Sequence, residues 1–91
     1  IGQIIENAFM NIDEDLRSLN GWECGSTANV CFIFDDLIVC ANIGDTRAVL
    51  FRNNDSIDLS RDHKPNDPIE RERIDKTGAK VDFWSGAWRV D

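Results

Sequence analysis

The chain has 91 residues, of which 42% are hydrophobic and 30% charged, and its formal net charge is −7. A chain of this length is one domain or part of one, and its composition is globular rather than that of a disordered tail. The acidity argues against general binding to nucleic acid or to an anionic membrane, and no apolar stretch approaches the length of a membrane span.

The first predicted element is an amphipathic helix over residues 4–19. Asn20-Gly21 is a suitable stop, because glycine tolerates the left-handed turn that follows many helices. The helix should lie on an apolar surface, since its apolar residues recur at helical spacing. These residues are Ile5, Ala8, Phe9, Ile12, Leu16 and Leu19.

Two short apolar runs follow at residues 28–34 and 37–43, and the Asp-Asp pair at 35–36 predicts a two-residue hairpin turn between them. In this register Cys31 faces Cys40. Both runs are apolar on both faces, which is typical of a sheet covered on both sides.

A second hairpin is predicted from strands over residues 47–51 and 56–59. Asn53-Asn54 suits the turn between them, because asparagine accepts positive φ better than most residues.

The next predicted element is a helix that begins at Asp67. Asp67 can cap its free backbone amides, Pro68 fits the first helical position, and Glu70 stands where a capping box has its glutamate.

The last two predicted strands cover residues 81–84 and 87–90 and flank a turn at Ser85-Gly86. Hairpins combined with separate helices predict the α+β class with antiparallel strands.

Asp45 is the first candidate for chemistry, because it follows an apolar strand and the flexible Gly44. Mg²⁺ and Mn²⁺ prefer oxygen ligands, so its carboxylate could bind such an ion. The structural alternative is a turn residue paired with Arg47. A catalytic metal pair needs several converging carboxylates, which Asp45 alone does not supply.

The polar segment 61–65 (Arg-Asp-His-Lys-Pro) contains two further candidates. His63 could carry a proton, but no nucleophile accompanies it, and we favour a hydrogen-bond donor that fixes the loop. Lys64 is the better functional candidate, because it could attract phosphate.

The three cysteines, Cys24, Cys31 and Cys40, form an odd set without a Cys-x-x-Cys pair. Such a set is typical of a reducing compartment, so we expect an intracellular protein of the cytoplasm or nucleus. There the facing thiols of Cys31 and Cys40 would serve only as packing groups.

Several segments in this order resemble the type 2C, metal-dependent (PPM) family of protein serine/threonine phosphatases. They are Gly25-Ser26-Thr27-Ala28, residues 41–50 (Ala-Asn-Ile-Gly-Asp-Thr-Arg-Ala-Val-Leu), residues 59–65 (Leu-Ser-Arg-Asp-His-Lys-Pro), residues 70–74 with Gly78, and Trp88-Arg89-Val90. The resemblance implies a β-sandwich of antiparallel sheets flanked by helices. It also implies hydrolysis of phosphoserine and phosphothreonine in proteins by a water activated by Mg²⁺ or Mn²⁺.

The same resemblance implies roles for four residues. Asp45 matches a ligand of a third, weaker metal site, and Thr27, Lys64 and Arg89 match positions at the rim of the active site. The family's Asp-Gly-His-Gly segment and its later acidic motifs, which hold the core metals, have no match in residues 1–91. We therefore expect part of a catalytic domain that is inactive alone and does not bind the ions tightly.

A second hypothesis is a non-catalytic module that uses this fold as a scaffold or binds phosphorylated protein without reacting. In either case, strands that are apolar on both faces need cover. We therefore expect the isolated chain to self-associate through exposed sheet edges.

Overall fold

A computed structural model of the chain describes residues 1–19 and 25–90. The elements in these residues are α1 (Gly2–Ser18), β1 (Ala28–Ile33), β2 (Ile38–Ile43), β3 (Val49–Arg52), β4 (Asp55–Asp58), α2 (Pro68–Asp75), β5 (Val81–Trp84) and β6 (Ala87–Val90). β1 pairs with β2, β3 with β4 and β5 with β6, all antiparallel, which gives three two-stranded sheets across the described ranges. The predicted α+β class is confirmed, whereas the predicted helix stop at residues 20–21 lies outside the described residues.

The β1–β2 hairpin has the predicted register. Cys31 lies opposite Cys40, and the Phe34 N–H donates to the Leu37 carbonyl at 2.8 Å across the turn. The two-residue turn therefore sets which side chains face one another along both strands.

The β3–β4 hairpin turns at Asn53 and Asn54, whose φ angles are 54° and 63°. The prediction placed the first of these strands two residues too early, at Arg47. The Ala48 N–H donates to a side chain, Ser60 Oγ, at 3.0 Å, and the Ala48 carbonyl accepts from the Leu59 N–H. Residues 44–48 therefore form the loop between β2 and β3.

Helix α2 begins as predicted, with Asp67 accepting a hydrogen bond from the Ile69 N–H at 3.1 Å and Pro68 as the first helical residue. The predicted capping-box role of Glu70 is wrong. Its carboxylate accepts two hydrogen bonds from Arg73, at 2.6 and 3.0 Å, because a residue three positions on lies on the same helix face.

The most buried apolar residues described are Ile74 of α2 and Val81 of β5, at 8% and 5% exposure. Ile5 and Phe9 are half-buried and line a cavity between α1 and β2. The total accessible surface is 7524 Å², whereas a compact protein of this mass exposes about 5,400 Å². Within the described ranges, the helices are too short or too polar to cross a membrane.

Candidate functional site

The loop after β2 is shaped by a close approach between Gly44 and Thr27. Gly44 has a φ of 98°, and a Cβ atom placed there would lie 2.8 Å from Thr27 Cβ. Only glycine fits this conformation and this space. The contact brings Thr27, a predicted rim residue, beside the residue that precedes Asp45.

His63 fastens a second segment to the same loop. The Gly44 N–H donates to His63 Nδ1 at 3.1 Å, and the His63 N–H donates to the Gly44 carbonyl at 2.8 Å. His63 therefore fixes the loop, as predicted, with its backbone N–H as donor and its ring as acceptor. The ring accepts through Nδ1, so in its neutral form its proton is on Nε2.

Asn42, at the end of β2, is the centre of a polar network. Its Oδ1 accepts from Asn29 Nδ2 at 3.0 Å and from Thr46 Oγ1 at 3.1 Å. Its Nδ2 donates to the carbonyls of Gly44 and Arg61 at 3.2 and 3.1 Å. One side chain thus joins β1, the loop at Asp45 and the segment that contains His63.

Asn29 extends this network to two neighbours. Its Nδ2 also donates to Ser60 Oγ at 3.3 Å, and its Oδ1 accepts from Cys40 Sγ at 3.7 Å. We did not predict a role for Asn29 or Asn42. The hairpin register could have shown it, because the two asparagines face each other on otherwise apolar strands.

Arg47 binds Asp62 in a bidentate pair, with Nε–Oδ1 and Nη2–Oδ2 distances of 3.0 Å. The alternative pairing of Arg47 with Asp45 is therefore wrong, because the guanidinium turns toward the segment at residues 61–65. Hydrogen bonds from Arg47 hold the pKa of Asp62 below its usual value, and those bonds raise the pKa of Arg47.

An open cleft of about 630 Å³ lies beside this pair. Arg47 and Arg61 line it, and each is bound to a carboxylate, Arg61 to Asp67 at 2.8 Å. Lys64 also lines the cleft, and the ion pairs of the described residues do not include it. Lys64 is therefore the basic group of the cleft available to an anion.

The order of segments around this loop matches a known family along the whole chain. A family model described as "Protein phosphatase 2C" covers residues 1–91. The chain belongs to the protein phosphatase 2C family.

Curated relatives agree with this assignment. The chain is 47% identical over 89 residues to "Probable protein phosphatase 2C 59" of Oryza sativa subsp. japonica, an overlap of 94% of this chain and 27% of the relative. It is 42% identical over 89 residues to "Probable protein phosphatase 2C 69" of Arabidopsis thaliana, an overlap of 94% and 25%. The chain thus spans about a quarter of the length of these relatives, and the resemblance noted in its sequence is confirmed.

Asp45 is the residue of this protein phosphatase 2C chain that was predicted to bind a metal. It is exposed near the start of the loop, two residues after the end of β2. In residues 1–19 and 25–90, however, His, Cys, Asp and Glu side chains do not converge in groups of three. The described residues therefore do not by themselves fit a bound ion, since Asp45 supplies a single carboxylate.

Arg89, the third predicted rim residue, lies on the β5–β6 hairpin. Its guanidinium stacks on the Trp84 ring at 4.8 Å, and its Nε donates to the Trp84 carbonyl at 3.1 Å. The structure brings Thr27 against Gly44 in the loop that contains Asp45 and places Lys64 in the adjoining cleft, while Arg89 is engaged within its own hairpin.

Proposed function

We propose that this chain is part of the catalytic domain of a metal-dependent protein serine/threonine phosphatase. Family membership supports a phosphatase, and the geometry of the Gly44–Asp45 loop carries the rest of the proposal. Asn42 and His63 fasten that loop so that one carboxylate is exposed at the strand end. A metal site requires each of its ligands to be held in place by the surrounding residues, and these hydrogen bonds hold the backbone next to Asp45.

In this proposal Asp45 binds Mg²⁺ or Mn²⁺ together with ligands from other segments of a longer protein. Carboxylate oxygens are preferred by both ions. Lys64 attracts the phosphate of a phosphorylated protein substrate, as a compact positive charge in a cleft whose two arginines are bound to carboxylates. Thr27 and Arg89 lie at the rim of the completed site.

The proposal predicts that the isolated 91-residue chain is inactive, whereas the longer protein that contains it is active. The test measures phosphate release from phosphoserine and phosphothreonine peptides with Mn²⁺ present. Turnover by the longer protein and none by the isolated chain supports the proposal. Tight phosphopeptide binding by the longer protein without phosphate release would favour the non-catalytic module.

We also propose that the isolated chain self-associates. Its accessible surface exceeds that of a compact protein by about 2,000 Å², and a standard interface buries about 800 Å² on each partner. Exposed apolar side chains on β1, β2 and β3, such as Ile33, Ile38 and Val49, supply the contact surface. Light scattering should show oligomers, and a stable monomer at high concentration would refute this.

We further propose an intracellular location, in the cytoplasm or nucleus. The odd set of three cysteines without a Cys-x-x-Cys pair supports it, because such a set is typical of a reducing compartment. Fractionation of cells that express the longer protein tests the proposal, and secretion would contradict it.

A further inference from the structure

The Cys31 and Cys40 side chains are direct cross-strand neighbours in the β1–β2 hairpin. Phe34 and Leu37 form a hydrogen-bonded pair, and bonded and non-bonded pairs alternate along an antiparallel ladder. Cys31 and Cys40 lie three positions away and are therefore a non-bonded pair. Such pairs have Cα atoms about 4.5 Å apart, which is within the range that a disulfide spans.

We propose that Cys31 and Cys40 form a redox modification site that a hydroperoxide closes to a cross-strand disulfide. The Cys31 thiolate attacks a peroxide oxygen, which gives a sulfenic acid and releases water when the peroxide is hydrogen peroxide. The Cys40 sulfur then attacks the Cys31 sulfur, the S–O bond breaks, and a second water leaves. Two thiols lose two protons and two electrons, and the peroxide gains them.

The surroundings of the two thiols assign these roles. Cys31 is exposed, so an oxidant reaches it directly. Cys40 is half-buried and lines the cavity of about 240 Å³ between α1 and β2. Burial, followed by the hydrogen bond and charge of Cys31, raises the pKa of the Cys40 thiol. The Cys40 thiol therefore forms its reactive thiolate less readily, and Cys40 acts in the second step.

Disulfide formation would alter the hydrogen bonds that connect Cys40 to the Asp45 loop. Cys40 Sγ–H donates to Asn29 Oδ1, Asn29 donates to Asn42, and Asn42 donates to the Gly44 carbonyl. These side chains lie on one face of the hairpin, because residues two apart on a strand share a face. Oxidation removes the thiol hydrogen and with it the first donor of this series.

The first test identifies the disulfide by non-reducing peptide mapping after treatment of the folded chain with hydrogen peroxide. We expect the Cys31–Cys40 bond within one molecule to predominate and to be reversed by reduced glutathione. Cys24 provides the internal control, because in an unfolded chain it would compete with Cys40 for Cys31 at similar loop length. In urea the products should therefore be mixed. Predominance of Cys24 disulfides or of bonds between molecules in the folded chain would overturn the proposal.

The second test measures coupling to the loop in a Cys24→Ser background, through hydrogen exchange of the Gly44 amide. Oxidation should speed this exchange at least about tenfold, which corresponds to a weakening of about 1.4 kcal/mol. The matched variant Cys40→Ser keeps an O–H donor for Asn29 but cannot form the disulfide, and its exchange should not respond to peroxide. Disulfide formation with unchanged exchange at Gly44 would show that the thiol pair and the loop are independent.

Discussion

Thr27 and Gly44 lie so close together that a Cβ atom at Gly44 would be 2.8 Å from Thr27 Cβ. Their contact joins the residue before β1 to the residue after β2. Because Asp45 follows Gly44, the position of its carboxylate depends on this contact.

Replacing Gly44 by alanine should destabilise the chain. The φ of 98° alone costs a non-glycine residue about 1–3 kcal/mol, and the collision with Thr27 adds to that cost. Urea unfolding should show a lower midpoint for Gly44→Ala than for the wild type.

Gly78→Ala is the matched control for this change. Gly78 has a similar φ of 87°, and a Cβ there would meet no described atom within 4 Å apart from those of its chain neighbours. The difference between the two variants isolates the contact with Thr27. If both variants lose the same free energy of unfolding, the collision with Thr27 does not contribute to the loss. Thr27→Ser, which removes the colliding methyl group, should partly rescue Gly44→Ala.

Asn42→Ala should destabilise the fold more than the same substitution at an exposed asparagine. Its four hydrogen bonds would be lost together, and each unsatisfied, partly buried group costs about 1–3 kcal/mol. The free energy of unfolding should therefore fall by at least about 1 kcal/mol. Asn66→Ala, at an exposed turn position, is the control, and an equal loss in both variants would contradict the central role of Asn42.

The sequence was sufficient to predict the hairpins, because their turns are local. Asn53, Asn54 and Gly86 adopt the positive φ angles that their residue types favour, and the Asp67 cap acts on an amide only two positions away. The partner of Arg47 was predicted incorrectly, and the role of Asn42 was not predicted. Their partners lie 15 and 19 residues away, in a segment whose approach depends on tertiary folding.

His63→Ala should loosen the loop, because the Gly44 N–H would lose its acceptor. His63→Asn should preserve much of the contact, since the asparagine Oδ1 occupies nearly the place of Nδ1. Hydrogen exchange at Gly44 should be about tenfold faster in the alanine variant, which corresponds to the loss of one hydrogen bond of about 1.4 kcal/mol. Equal exchange in the alanine and asparagine variants would refute the acceptor role of the ring.

The ion pairs of Asp62 and Asp67 predict a loss of stability in acid. Hydrogen bonds from Arg47 and Arg61 lower the pKa values of these carboxyls in the folded chain. A carboxyl with a lowered folded pKa stabilises the fold above its unfolded pKa, and this contribution disappears as pH falls through the folded value. The free energy of unfolding should therefore decrease as pH falls below about 4.

Urea unfolding across this pH range measures the effect. Asp62→Asn and Asp67→Asn should each flatten the pH dependence, and asparagine at position 67 can still cap α2. Asp36→Asn, in the exposed turn of the β1–β2 hairpin, is the control and should leave the slope unchanged. If both the Asp62 and Asp67 variants keep the wild-type pH dependence of the free energy of unfolding, other groups cause the acid sensitivity.

The central claim is that the Gly44 loop presents Asp45 as a ligand for Mg²⁺ or Mn²⁺ in a phosphatase. It is tested most directly by the Mn²⁺ concentration that gives half-maximal phosphate release in the longer protein. Asp45→Asn should raise this concentration about 10- to 100-fold, while Asp36→Asn leaves it unchanged. An unchanged Mn²⁺ dependence in the Asp45 variant would contradict the account.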